Sequence, residues 1–560
     1  MKKSNLKIGI IGGGPSGLFM LKRLVESRQE NLEIHIFERK AKLGVGMPYS
    51  EEGALQEHVT NVSDNEIPEL QYHIEDWVNK NQGEADKYKI TPNNFNEYKV
   101  LPRLLFGDYL SSQFDEILKK SKHNVIIHTE TIVDDVLYKP GQVTVFAAEN
   151  EYTFDIAILC TGHNWPKTHE GKIDGYFDSP YPPVKLNLKL NHPVALTGSS
   201  LTAIDAIRTL VRNNGIYVKN WEGKLVYHLA KGSEDFKIVM HSRNGYLPAV
   251  RFHLNDTHLQ NDAILTEEEI VKHRETNQGF LSLDYIFEKN FKNLFIEQDP
   301  AFYQKIKDFS LEEFVAWAIE LREKLDAFQL LKAEYAEAEK SIKRKQSVYW
   351  KEALGILSFA MNQPAKYFSA EDYQRLKTVL LPLISVVIAY VPQSSCDELL
   401  ALYNAGVLEL IEVGNDSEVV PLEDGGITYK YSGKSVDFKT YVNCIGQPQI
   451  PFEKFPFKGL LDGKSLCKAT YRFQSAEEGQ KALTNHPDDV QLINDEYYLN
   501  VSGLAINDYF QVLDKHGAYN PHLYIMAVPY ISGYNPDYSG LDFCEAASEK
   551  IVNGIFSNFS

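Results

Sequence analysis

At 560 residues the chain is too long for one hydrophobic core, so two or three domains are expected. Lys and Arg number 58 against 76 Asp and Glu, a net charge of −18 that argues against nucleic acid or an anionic membrane as the main partner. The five cysteines (Cys160, Cys396, Cys444, Cys467, Cys544) lie far apart with no C-x-x-C pair, which speaks against a disulfide framework or a zinc site and fits a reducing compartment.

The first element is an apolar, β-branched run over residues 6–11 (LKIGII). A glycine turn follows (Gly12-Gly13-Gly14-Pro15-Ser16-Gly17), then LFMLKRLVES with helical spacing, then the strand IHIFE at 34–38. Gly12, Gly14 and Gly17 have the G-x-G-x-x-G spacing, and Glu38 ends the second strand 21 residues after Gly17. Gly12 permits the tight turn, Gly14 lets backbone approach a pyrophosphate, and Gly17 lets helix and strand pack closely. The helix N-terminus attracts phosphate, and Glu38 can accept from a ribose hydroxyl. This unit is read as a dinucleotide site, with Pro15, Ser16 and Arg39 beside it. No targeting segment is expected before this strand, so a cytoplasmic protein is expected.

Residues 154–163 (FDIAILCTGH) form a strand that closes on Thr161 and Gly162, where backbone can pass close to a cofactor. A second turn follows the strand HPVALTG at 192–198: Gly198-Ser199-Ser200-Leu201-Thr202-Ala203 leads into an apolar helical pattern. Only Gly198 remains of the three glycines, but Ser200 and Ala203 are small, so the close approach survives. The strand KIVMHSR then ends in Ser242-Arg243 where an NAD site would carry an acid. A hydroxyl and a guanidinium suit the extra phosphate of NADPH.

Between about 255 and 375 the chain is rich in Glu, Lys, Phe and Tyr, and residues 318–345 read as one long helix with a solvated face. This insert is expected to be a lid or substrate domain, with a dimerisation arm, and hence a homodimer, as the alternative. The apolar run Thr378–Val391 is too short to span a bilayer and contains Pro382 and Ser385, so it predicts a buried segment. Residues 438–447 (FKTYVNCIGQ) then repeat 154–163: both begin with Phe and close on Cys-x-Gly at one offset, each after a run of short strands. The order strand, glycine turn, helix, meander, return strand thus occurs twice.

Further segments carry a family resemblance: GVGMPY from Gly44, with Gly46; HVTNV from His58, with Asn61; Trp77; LPRLLFGDYL, with Arg103; GSSLTAID; HSRNGYLP from His241; and NPHLYIMAVPYISG at 520–533. In this series the chain resembles the bacterial FAD/NAD(P)-binding family, a relative of the class B flavin monooxygenases and amino-acid N-hydroxylases. It departs at Ser200 and Ala527, where glycine is usual, and in the 44 residues between Gly198 and Ser242, which leave room for an extra hairpin near 214–235.

The resemblance implies an α/β fold of two Rossmann-like dinucleotide-binding domains, for FAD and NADPH, with a mostly helical insert. Residues 1–165, completed by about 445–560, would form the FAD domain; 185–255 and 376–445 the NADPH domain; 256–375 the insert. It implies a monooxygenase in which a flavin C4a-hydroperoxide oxygenates an amine or other small nucleophile, with O2 and a small molecule as substrates; an NADPH-dependent flavin reductase without oxygen insertion is the alternative. Arg103 is expected over the FAD pyrophosphate or as a helix cap. Asn61, the catalytic candidate, is expected to donate to the flavin ring or substrate. Asp537 and Tyr538, in the loop before the last helix, are expected at the flavin. His58, His163 and His241 show no ligand spacing, so no metal is expected.

Overall fold

The computed structural model describes residues 5–559 except 28, 92–94, 97, 256–264, 363, 448–449 and 537–539. Its first sheet has six strands in the order Gln511–Leu513, Tyr519–Ile525, Ile156–Leu159, Leu6–Ile11, Leu32–Phe37, Asn124–His128. All neighbours are parallel except the edge pair Gln511–Leu513 and Tyr519–Ile525. Parallel strands need cover on both faces, which is why Leu6–Ile11 and Ile156–Leu159 read as continuous apolar runs. Helix Pro15–Glu26, packed on helix Gly540–Phe559, belongs to one layer. The meander Val133–Lys139, Gln142–Ala147, Asn150–Phe154 covers the sheet, with the Phe154 ring lying over Gly9 where a Cβ would collide with it.

The second sheet is parallel throughout, in the order Tyr176–Phe177, Thr440–Asn443, Pro193–Thr197, Lys237–Ser242, Leu408–Glu412. Helix Leu201–Asn214 follows its central strand, and the meander Glu418–Pro421, Ile427–Tyr431, Lys434–Phe438 precedes the return strand Thr440–Asn443. The repeat seen in the sequence is therefore a repeat of architecture. The extra piece is a hairpin of Gly215–Lys219 and Leu225–Leu229.

The middle of the chain is helical, with one difference from expectation. Residues 318–345 are not one helix but parts of two, Leu311–Lys324 and Ala327–Arg344. The Asp326 carboxylate accepts from the N–H groups of Phe328 (3.1 Å) and Gln329 (3.0 Å) and so starts a new helix. The helical unit also runs past 375, where the second nucleotide unit was expected to resume. Leu376, Leu380, Leu383 and Val387 share one core with Leu283 and Phe314. Pro382 is tolerated because it falls in the first turn of helix Leu381–Val387. Ala469, Tyr471, Phe473 and Val501, on the antiparallel sheet Lys468–Arg472, Glu496–Leu504, Val490–Ile493, join the same core. Part of the stretch expected to complete the first domain thus packs on the helices instead. No described helix is long and apolar enough to cross a membrane.

Candidate functional site

A cavity of about 410 Å3 opens at the carboxyl ends of the first sheet. Gly12, Gly14, Pro15 and Ser16 line it together with Glu38, Arg39, Thr131, Gly46 to Tyr49, Tyr530 and Cys544. Gly12 has φ +112°, and a Cβ there would run into the Cys160 carbonyl oxygen. At Gly14 a Cβ would stand 3.1 Å from the Gly46 Cα. Gly17 is close-packed, since a Cβ would strike the Gly12 carbonyl. Pro15 occupies the first helical turn, where a missing N–H costs nothing, and no side chain caps the helix. Its free N–H groups therefore point at the cavity, as a pyrophosphate requires.

Glu38 is buried in the cavity wall, where its carboxylate accepts from the N–H groups of Gly13 (2.8 Å) and Lys40 (3.0 Å). Those bonds orient it and leave lone pairs for a ribose diol. Arg39, at the rim, pairs with Glu52 at 2.7 Å. Thr161 and Gly162 line the cavity. So do three groups that the sequence did not single out. The Tyr49 hydroxyl is pushed up to about 12 by burial, against the opposing field of Arg103. The Cys544 thiol, 3.5 Å from the Ser16 hydroxyl, is likewise pushed up to about 12 by burial. Burial also lowers His163, although Gln447 hydrogen-bonds to it at 3.2 Å. Tyr49 and Cys544 are thus neutral hydrogen-bonding groups at neutral pH. The residues present fit a dinucleotide.

The second unit repeats this turn. Gly198 has φ +106°, and a Cβ would stand 2.7 Å from the Cys444 carbonyl oxygen. Gly12 N–H bonds to Phe37 O (2.9 Å) and Gly198 N–H to His241 O (2.8 Å); Cys160 N–H bonds to Ile11 O and Cys444 N–H to Thr197 O, both 2.8 Å. The Cys-x-Gly element recurs because its carbonyl sits where each glycine turn has no side chain. The Ser199 hydroxyl donates to Tyr246 O at 2.6 Å, Ser200 precedes helix Leu201–Asn214 with no side-chain cap, and Thr202 lies beside Gly446. Ser242 ends its strand half-buried, and Arg243 is exposed with no ion pair among the described residues.

Arg103 is placed differently from either expectation. It is buried away from the cavity: its guanidinium donates to Asp205 (2.6 Å) on the second unit's helix, and its Nε donates to Val59 O (2.9 Å). A buried carboxylate needs a cation, and Asp205 supplies the partner that a pyrophosphate would have been. The Tyr181 hydroxyl donates to the same Asp205 oxygen at 2.6 Å. Burial disfavours the charge on Asp205, but Arg103 and then His58 outweigh it and hold the carboxyl below its usual range. His58 Nδ1 accepts from Leu55 N–H (2.8 Å), which leaves Nε2–H to donate to Asp205 O (3.1 Å). A second link joins the two return loops: the Gln447 side chain accepts from Asn164 N–H (3.0 Å) and donates to Asn164 O (2.7 Å). Asn61 lies half-buried on strand Val59–Ser63, outside the cavity wall, with no side-chain partner among the described residues. Asp537 and Tyr538 lie outside the described residues.

Only a weak hint of the Arg103–Asp205 pair existed in the sequence: an acid inside the apolar pattern of GSSLTAID. Residues 9–164 match the FAD-NAD(P)-binding family, and residues 266–388 match the YdhS-like middle domain. Over 474 residues the chain is 28% identical to the uncharacterized protein YdhS of Escherichia coli (strain K12), covering 81% of this chain and 86% of that protein. Among solved structures, the chain is similar to an ornithine hydroxylase of Pseudomonas aeruginosa (TM-score 0.50, 10% identity, 100% of both chains). It is also similar to a bacillithiol disulfide reductase of Staphylococcus aureus (TM-score 0.44, 10% identity, 100% of both chains). Residues 9–164 thus match an FAD-NAD(P)-binding domain and residues 266–388 a YdhS-like middle domain, in a chain whose second parallel sheet repeats the architecture of the first.

Proposed function

We propose that this flavoprotein is an NADPH-dependent monooxygenase that transfers one atom of O2 to an amine or another small nucleophile. FAD lies along Gly12–Gly17 with Glu38 at its ribose. NADPH lies on the Gly198–Thr202 turn with Ser242 and Arg243 at its extra phosphate. The bound flavin supplies the hydride uptake and the oxygen chemistry. The chain's part is to orient the two nucleotides and to keep the flavin end dry, which Tyr49, Tyr530 and Phe457 in the cavity wall do.

The carrying observation is the state of the thiols at that cavity. Cys160 and Cys544 line it, and burial pushes both up, Cys544 to about 12 and Cys160 further. Neither is a thiolate near neutral pH, so neither is suited to relay electrons to a disulfide. Oxygen is the acceptor that needs no such relay.

Purified protein, NADPH and a panel of primary amines under 18O2 test the reading by mass spectrometry. One labelled oxygen in the product per NADPH consumed is expected. NADPH consumed with only hydrogen peroxide formed across the panel would make the protein a flavin reductase. The reductant is tested separately, by flavin reduction rates with NADPH and NADH. Charge-assisted contacts from Arg243 to the extra phosphate are worth roughly 1.5–3 kcal/mol. Arg243→Ala is then expected to weaken NADPH by about one to two decades and to leave NADH nearly unchanged. An equal loss for both would make Arg243 a structural residue.

A further inference from the structure

Strand Leu408–Glu412 stands at the end of the second sheet, and no described strand pairs with its outer side. Its register on Lys237–Ser242 decides which backbone groups that leaves open. Ile238 N–H bonds to Val407 O at 2.8 Å, and Val413 N–H bonds to Ser242 O at 3.0 Å. In a parallel ladder alternate residues face the same neighbour, so 407, 409, 411 and 413 face the sheet. Leu408, Leu410 and Glu412 therefore turn their N–H and C=O groups outward. None of these groups has a hydrogen-bond partner among the described residues.

The same three residues line a cavity of about 980 Å3, together with Tyr246, Tyr403 and the junction of helices Leu311–Lys324 and Ala327–Arg344. Its wall holds the acids Glu323, Asp326, Glu409 and Glu412 against Lys237 and Arg322. Both cations are committed. Lys237 pairs with Glu409, while Arg322 pairs with Glu334 at 2.7 Å and donates to Leu247 O at 2.8 Å. Glu323, Asp326 and Glu412 have no ion pair among the described residues, although Asp326 caps its helix. Glu323 and Glu412 act on one place: burial raises the Tyr246 hydroxyl, and both acids raise it further against Arg322. Outside the wall, Lys332 lies over the Tyr403 ring, 5.7 Å from its centre, and Arg243 stands beside Asn244, at the proposed NADPH phosphate. The wall itself is acidic.

We infer that this edge takes up an extended peptide rich in lysine or arginine as an added strand, its backbone paired with Leu408, Leu410 and Glu412 and its cations facing Glu323, Asp326 and Glu412. An open strand edge is a ready template for another chain, and proteins ordinarily cover or blunt it. Added strands draw affinity from main-chain hydrogen bonds and specificity from alternate side chains. Five extended residues span roughly 17 Å, the length of a five-residue strand such as Leu408–Glu412. Charge selects the occupant, since an acidic segment would be repelled by the three free carboxylates. The inference does not depend on oxygen transfer and holds equally for a flavin reductase.

The test is fluorescence anisotropy of labelled heptapeptides with the FAD-loaded full chain at one ionic strength. A peptide of alternating lysine and valine is expected to bind about tenfold more tightly than one of alternating glutamate and valine. Methylating the backbone nitrogens of the lysines in one peptide, and of the valines in another, removes the donors of one strand edge at a time. One pattern is expected to weaken binding about tenfold and the other to leave it nearly unchanged, because only one edge of an added strand faces Leu408–Glu412. Leu410→Pro removes an outward N–H without touching the ladder, and is expected to weaken binding about tenfold. Glu323→Gln with Glu412→Gln is expected to abolish the preference for lysine. If Leu410→Pro does not fold, the two methylated peptides decide. No binding of the lysine peptide at millimolar concentration, equal affinities for the two charges, or equal effects of the two methylation patterns would each overturn the inference. So would unchanged binding in a folded Leu410→Pro protein, or an unchanged preference in the double variant. A dimer in sedimentation that Leu410→Pro dissociates would overturn it too, making a second copy of the chain the occupant.

Discussion

A Cβ on Gly14 would already crowd the Gly46 Cα, and a branched side chain would also fill the space that a pyrophosphate needs. Gly14→Val is therefore expected to yield a folded protein without FAD, read from its absorbance after purification. A folded variant with one FAD per chain would mean that the cofactor lies elsewhere. The glycines were legible in the sequence because each answers to a local demand: a positive φ at Gly12 and Gly198, and a close approach at Gly14 and Gly17. Glu38 was legible for the same reason, since its place at the end of a strand follows from the strand itself. Arg103 was not. Its role depends on a carboxylate 102 residues away, and nothing near it in the chain distinguishes a phosphate from Asp205 as its partner.

Helix Arg103–Lys120 of the first unit meets helix Leu201–Asn214 of the second through that buried pair. The elements were predictable, but their crossing was not. Breaking a buried pair by removing one partner costs about 3–5 kcal/mol, because the other charge stays buried and alone. Arg103→Gln is expected to lower unfolding stability by that amount in urea titration. Adding Asp205→Asn is expected to restore part of it, since the double variant leaves no lone charge. A loss below about 1 kcal/mol in the single variant would mean that water already reaches the pair. The division of 318–345 into two helices is a second case at this scale. The apolar period runs through Asp326, but a carboxylate that can cap two N–H groups stops one helix and starts another.

For the molecule as a whole, the buried histidine of the second core sets a pH dependence. His241 is fully buried, stacked on Tyr429 with ring centres 4.0 Å apart, and burial lowers it to about 4. In the unfolded chain a histidine titrates at about 6.5, so the unfolded state takes up a proton first as pH falls. The folded state is thus at full advantage above about pH 6.5 and loses it toward about 4, by up to about 1.4 kcal/mol per pH unit. Asp205, held below its usual range, adds a further loss only below about pH 4. Melting temperatures at pH 7 and pH 5 are expected to differ more in the natural protein than in His241→Gln. An equal difference in both would locate the acid sensitivity elsewhere.

By itself the sequence determined two units of strand, glycine turn and helix, their order and the helical segment between their strands, because each rests on short-range rules: apolar runs, glycine conformation and the repeat of Cys-x-Gly. Only the tertiary structure decided where the helical unit ends, why Ala469 and Tyr471 pack on it rather than on the first sheet, and which acid Arg103 meets. Those are contacts between residues far apart in the chain. They are selected by which apolar faces and buried charges remain unpaired once the local elements have formed, and no local pattern records that choice.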